Sequence, residues 1–81
     1  MKIYRYLEQY NICGVRVKQA RKQRKMTQDQ LTAQMQVEGV QVNQRAISRI
    51  ETGNRLVTDY ELLCFAKVLN VELDWLLIHD S

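Results

Sequence analysis

Asn43-Gln44-Arg45-Ala46-Ile47-Ser48-Arg49-Ile50-Glu51-Thr52-Gly53-Asn54-Arg55 is the stretch on which the fold turns. Asn43 is a good N-cap, because its side-chain oxygen can accept a free N–H of a first helical turn. Ile47 and Ile50 share one helical face, and Gly53 suits the left-handed backbone that ends a helix. The pattern predicts a helix over residues 44–51, held inward by Ile47 and Ile50. Gln44, Arg45, Ser48 and Arg49 are left on its outer side.

Outward from this helix the same logic repeats. Thr27-Gln28-Asp29-Gln30 is a capping box, the Thr hydroxyl taking a backbone N–H while the Gln side chain reaches back. It opens a helix whose apolar face carries Leu31 and Met35 and which should stop near Glu38, before Gly39. Upstream, Cys13, Val17, Ala20 and Arg24 form one stripe with Arg21 beside it, predicting a helix over about residues 13–24 with Arg16, Lys18, Lys22 and Lys25 outward. Downstream, Thr58-Asp59-Tyr60-Glu61 is another capping box, and Leu62, Leu63, Phe65, Ala66 and Leu69 are the apolar residues of the helix it opens. Asn70 can take the left-handed stop. A short helix from Leu73 to Ile78 returns Trp75, Leu76 and Leu77 to the core. Residues 1–12 stand apart as an arm or short helix, with Ile3, Leu7 and Tyr10 at helical spacing.

The fold class is therefore all-α: a compact orthogonal five-helix bundle with an additional N-terminal helix or arm, residues 1–12 preceding a domain over 13–81. With 81 residues, 46% of them hydrophobic, the chain can build one modest core and is not an acidic disordered tail. No apolar run approaches the ~20 residues that span a bilayer, and no apolar block of signal-peptide type opens the chain. A cytoplasmic protein without membrane contact is expected. Cys13 and Cys64 lie far apart in sequence and His79 is the single histidine, so free buried thiols are expected, with no metal and no cofactor. One histidine, no nucleophile beside a base and no Gly-rich phosphate loop argue against an enzyme.

Charge is unevenly spread. Residues 1–30 carry eight Lys and Arg against Glu8 and Asp29, a net of +6, whereas residues 58–81 carry only Lys67 against five acidic residues, a net of −4. A basic front and an acidic back suit a molecule that turns one face to a polyanion, although solvated helix faces would look the same. Long polar side chains on a narrow helix are what reading the major groove of a duplex requires. Arg45 and Arg49, four apart, can both face one groove, where Arg pairs bidentately with guanine, and Gln44 can pair with adenine. Each such pair discriminates by about 1–3 kcal/mol. Ser48 is less selective, since a hydroxyl serves any base.

Three segments in order, Met26-Thr27-Gln28 with Leu31, Ala46 to Arg55, and Asp74-Trp75-Leu76-Leu77, resemble the helix-turn-helix family of phage λ-type repressors and Cro proteins, the Xre-like transcriptional regulators. The resemblance runs over about residues 13–78. It implies a λ-repressor-like fold and sequence-specific binding of double-stranded DNA by a bacterial or phage repressor, a homodimer on a palindromic operator. It puts Gln44, Arg45, Ser48 and Arg49 at base-facing positions, and Gln28, Asn54 and Arg55 at DNA phosphates. It also implies a structural ion pair between Arg21 and Glu51. Dimerisation through the C-terminal helices, with the N-terminal segment contributing, is expected.

The chain departs from the family pattern in four places. Thr32 replaces a usual small residue after Leu31. Lys25 stands where Gly usually precedes the capping box. About five additional residues, Gln36 to Val40, lengthen the turn between the motif helices, predicting an extra helical turn plus a loop with Val37, Val40 or Val42 covering the core edge. Glu72 replaces a Ser-type cap. The alternative reading is a protein-interaction module on the same fold, as in antitoxins and adaptors, using Tyr4, Tyr6, Leu7 and Tyr10 or the stretch Trp75 to Ile78 against a protein partner.

Overall fold

Five helices follow from these caps and periodicities in the computed structural model, which describes residues 5–78. They are α1 (Gly14–Gln23), α2 (Gln28–Val37), α3 (Gln44–Glu51), α4 (Asp59–Leu69) and α5 (Leu73–Leu76). Thr27 and Thr58 each close a complete capping box, and the Asn43 side chain accepts the Ala46 N–H. Gly39 and Gly53 take positive φ after α2 and α3, as does Asn70 (φ 56°) after α4. Glu72 makes no side-chain cap bond, and α5 is a single turn, shorter than the expected run to Ile78.

Pairwise contacts α1–α3, α2–α3, α2–α4, α1–α4, α4–α5 and α1–α5 close the bundle around one core. Val17, Leu31, Met35, Ile47, Ile50, Phe65, Leu69 and Leu76 are fully enclosed there. Several expected core positions do not join them. Leu63 and Leu77 are exposed, because α4 turns only its Glu61, Cys64–Phe65 and Leu69 stripe inward and α5 ends before Leu77. On α1 the buried member of the arginine pair is Arg21, and Arg24, one turn edge further round, is exposed.

The lengthened turn is anchored along its length. Val40 and Val42 are buried while Val37 is 82% exposed, so the core edge is covered from the loop and not from the end of α2. The Gln36 side chain donates to Val42 O at 2.7 Å, and the Val40 N–H returns to Met35 O at 3.1 Å. Thr32, where a smaller residue is usual, is buried and directs its hydroxyl to Gln28 O at 2.7 Å, away from α3.

The N-terminal segment is an arm, not a helix. Tyr6 and Gln9 exchange both backbone hydrogen bonds, at 2.7 and 3.0 Å, around Leu7 and Glu8, which both have positive φ. That is the geometry of a two-residue hairpin turn. Ile3, Tyr4 and His79 lie outside the described residues.

Candidate nucleic-acid interface

α3 is the most sharply two-sided helix of the bundle. At about 100° per residue, Ile47, Ile50 and Glu51 form the buried stripe, and Arg45 and Arg49 stand opposite it. Gln44 and Ser48 lie on the flank next to Glu51. Gln44, Arg45 and Arg49 are exposed and Ser48 is half-buried. Arg45 makes no hydrogen bond or ion pair within the described residues. Arg49 donates to Asn54 O at 3.3 Å, a long bond that a better acceptor would replace.

Behind this face sits a chain of polar contacts. Arg21 Nε donates to Glu51 Oε2 at 2.7 Å and its Nη2 to Oε1 at 3.1 Å, a bidentate fork with both residues buried. A third donor, Nη1, reaches Met26 O at 2.8 Å and so fixes the α1–α2 turn. Glu51 Oε1 also accepts from Gln28 Nε2 at 3.1 Å, and Gln28 Oε1 accepts from Gln44 Nε2 at 2.9 Å. A carboxylate only accepts, so Gln28 must present its NH₂ to Glu51 and its oxygen to Gln44. Gln44 keeps one N–H and its carbonyl oxygen for an outside partner. The odd carboxylate at the end of α3 is thus satisfied by Arg21, and it orders the first turns of both α2 and α3.

The segment after α3 is pinned from several sides. The Asn54 N–H donates to Arg49 O at 2.8 Å, and the Asn54 side chain reaches Thr52 Oγ1 at 3.0 Å. Arg55 is drawn away from the open surface: its guanidinium forks onto Glu61, both bonds at 3.1 Å. Burial pushes the Glu61 carboxyl up, but the Arg55 fork and the Thr58 N–H outweigh it and hold the group below the usual carboxylate range. Arg55 therefore brings a balanced charge to the loop, where the sequence suggested an unopposed one. Arg49, Asn54, Arg55 and Tyr10 line an open groove of about 490 Å³ beside α3.

Two positioning residues escaped the sequence reading. Asn11 accepts the Gly14 N–H at 2.8 Å and donates to Ile50 O and Arg55 O at 3.1 and 2.7 Å. Its signal was there, an Asn three residues before a helix's first N–H. Gly14 lets α1 cross the end of α3, since a Cβ there would stand 2.0 Å from Ile50 O. Burial pushes the Cys13 thiol up to about 11, which makes it a core residue in chemistry as well as in place. No helix among the described residues is long and apolar enough to cross a membrane.

A family model described as helix-turn-helix matches residues 17–76, from the middle of α1 to the end of α5. The chain belongs to the helix-turn-helix family, of the Xre and λ-repressor-like kind. No curated protein and no solved structure matches it. Membership makes this helix-turn-helix protein a DNA-binding transcription regulator, in a family of regulatory domains and not of enzymes. α2 and α3 are then the motif helices, with the anchored turn 38–43 between them.

Proposed function

We propose that this helix-turn-helix protein is a sequence-specific repressor that reads a palindromic operator as a homodimer, with α3 in the major groove. The observation that carries this reading is the placement of Arg45 and Arg49 opposite the buried Ile47, Ile50 and Glu51, beside a Gln44 side chain already oriented by Gln28. Gln44, Arg45, Ser48 and Arg49 face the bases, Gln44 offering the donor–acceptor pair that matches adenine and the arginines the fork that matches guanine. Gln28 at the first turn of α2, with Asn54 and the loop at Arg55, holds the phosphates that fix register. Residues 13–81 are the DNA-binding domain and 1–12 an arm, in a bacterial or phage protein acting at the chromosome.

Dimerisation uses the C-terminal end together with the arm. Leu77 and Ile78 are exposed, and Leu77 lines an open groove with Tyr10, Ile12 and Val57. Two recognition helices then meet half-sites about 34 Å apart, one turn of duplex. Sedimentation showing a monomer at micromolar concentration, both free and on DNA, would remove this part of the proposal.

Selection of sites from random duplexes tests the reading, run on the wild type and on Arg45→Ala/Arg49→Ala. An enriched palindrome that disappears in the variant is expected. A palindrome that survives moves the reading face elsewhere on the protein. No enrichment at moderate salt sinks the repressor reading and turns attention to a protein partner.

A further inference from the structure

The arm ends where α3 ends, and it brings hydrogen-bond donors there. The Tyr10 N–H donates to Gly53 O at 2.8 Å, and Asn11 Nδ2 donates to Ile50 O at 3.1 Å and Arg55 O at 2.7 Å. All three acceptors are backbone carbonyls at the C-terminus of α3 or in the loop that follows it. A helix C-terminus carries the negative end of the macrodipole, about half an elementary charge, on just such unpaired carbonyls. That is a poor surface to set against a DNA phosphate. Yet the loop 52–56 is the one to which the proposed function assigns a phosphate contact.

Peptide geometry resolves the conflict. In a trans peptide the C=O and the following N–H point in opposite directions. With Gly53 O held toward the arm, the Asn54 N–H must face the other way, and it does, meeting Arg49 O at 2.8 Å. With Arg55 O held by Asn11, the Leu56 N–H is likewise turned away from the arm. The arm thus draws acceptors inward and leaves the outer side of the loop to donors: the Asn54 amide, the Leu56 N–H and Arg49. Residues 10 and 11 precede the segment matched by the family model, so this device is an addition to the motif.

We propose that Asn11 is a positioning residue for DNA binding: by taking up the carbonyls of Ile50 and Arg55, it turns the loop after the recognition helix into a phosphate-accepting surface. The inference rests on the assignment of that loop to the phosphate backbone. Asn11 also caps α1 through its Oδ1, 2.8 Å from the Gly14 N–H, and the two tasks separate by mutation. Asn11→Ser keeps an oxygen for the cap but lacks the reach and the NH₂ to hold the carbonyls. Asn11→Ala loses both.

Two measurements decide the matter on the full chain, below the melting temperature of each variant. The first is amide hydrogen exchange by NMR. Asn11→Ser is expected to speed exchange at Asn54 at least tenfold while the core of α4 keeps its protection. The second is the salt dependence of binding to the selected operator duplex. Its log–log slope is expected to fall in magnitude by about one, the signature of one lost phosphate contact, with the preferred bases unchanged. Unaltered exchange at Asn54 in both variants overturns the positioning role, whatever DNA does. Faster exchange with an unaltered slope overturns the phosphate surface while leaving the repressor reading intact. If the wild type selects no duplex, the parent reading fails and the inference falls with it, whatever the exchange shows.

Discussion

Arg21→Met removes the cation from the fork that Glu51 fills, and the structure sets the size of the effect. Two charge-assisted bonds, at 2.7 and 3.1 Å, are lost, and the Met26 carbonyl loses its donor. Glu51 stays behind, 5% exposed, with only the Gln28 amide to satisfy it. A buried charge stripped of its partner costs about 3–5 kcal/mol. A domain of this length holds roughly 4–12 kcal/mol in all, so the variant should sit at the edge of folding. Its Tm should fall by more than about 12 °C. Replacing both residues, Arg21→Met/Glu51→Met, removes the stranded charge and should return stability to within about 2 kcal/mol of wild type. Urea titrations followed by circular dichroism on the four members of the cycle give the coupling directly. The repaired double variant should still bind its operator more weakly, because Gln28 has lost the acceptor that orients it. A cost below about 1 kcal/mol for Arg21→Met would show a solvated surface pair and refute the reasoning. So would a double variant no more stable than the sum of the two singles.

Other changes probe other parts of the molecule. Gly14→Ala drives a methyl onto Ile50 O, a 2.0 Å approach that backbone must relieve, so we expect a loss of at least about 2 kcal/mol in thermal or urea unfolding, and unchanged stability would disprove the close crossing. Lys25 holds φ at 56°, so Lys25→Gly should release about 1–2 kcal/mol of left-handed strain and return up to about 1 kcal/mol as unfolded-chain entropy, a small net gain that an unaltered or lower urea midpoint would contradict. The Glu61 carboxyl is held low in the folded state, so its contribution is present above the unfolded value of about 4.3 and drains away as pH falls through the folded one. The stability difference between wild type and Glu61→Gln should therefore shrink below about pH 4, and a constant difference down to pH 2 would contradict it. Cys13 titrates near 11 and is buried, so native protein at pH 8 should label there with a thiol reagent only as fast as it unfolds, whereas prompt native labelling would place that thiol at the surface.

How much of this was legible in the sequence follows from where the information sits. Helix starts are local, set by one side chain and the N–H three residues on, and Thr27, Asn43 and Thr58 each cap the helix they announce. Stops are local too: Gly39, Gly53 and Asn70 all carry positive φ. Lys25 does so without glycine, the strain being carried by the packing of α1 against α2. Which apolar residues go inward is not local. Leu62 and Leu63 look alike in sequence, but α4 meets α1, α2 and α5 on one side only, so Leu63 is left in solvent. The lengthened turn shows the same division. Its alternation of Val40, Gln41 and Val42 indicated that something would cover the core edge, but only the path of the chain decided that Val37 would not.

The arm was illegible for a different reason. Two consecutive residues with positive φ form its turn, a conformation that favours Asn and Gly, and the chain places Leu7 and Glu8 there. Read by propensity, the same residues suggested a helix. What overrides propensity is tertiary: the Tyr10 N–H and the Asn11 amide are drawn to carbonyls some forty residues later in the chain, at the end of α3. Those carbonyls need donors because α3 stops there without a side-chain cap of its own for Ile50 O, and α1 comes close enough to supply them only because residue 14 has no Cβ. Asn11, Gly14 and the end of the recognition helix therefore form one unit. A change at any of the three should be felt first in the loop 52–56, before it is felt at Arg45 or Gln44, whose orientation depends on α2 and the ion pair on the other side of the helix.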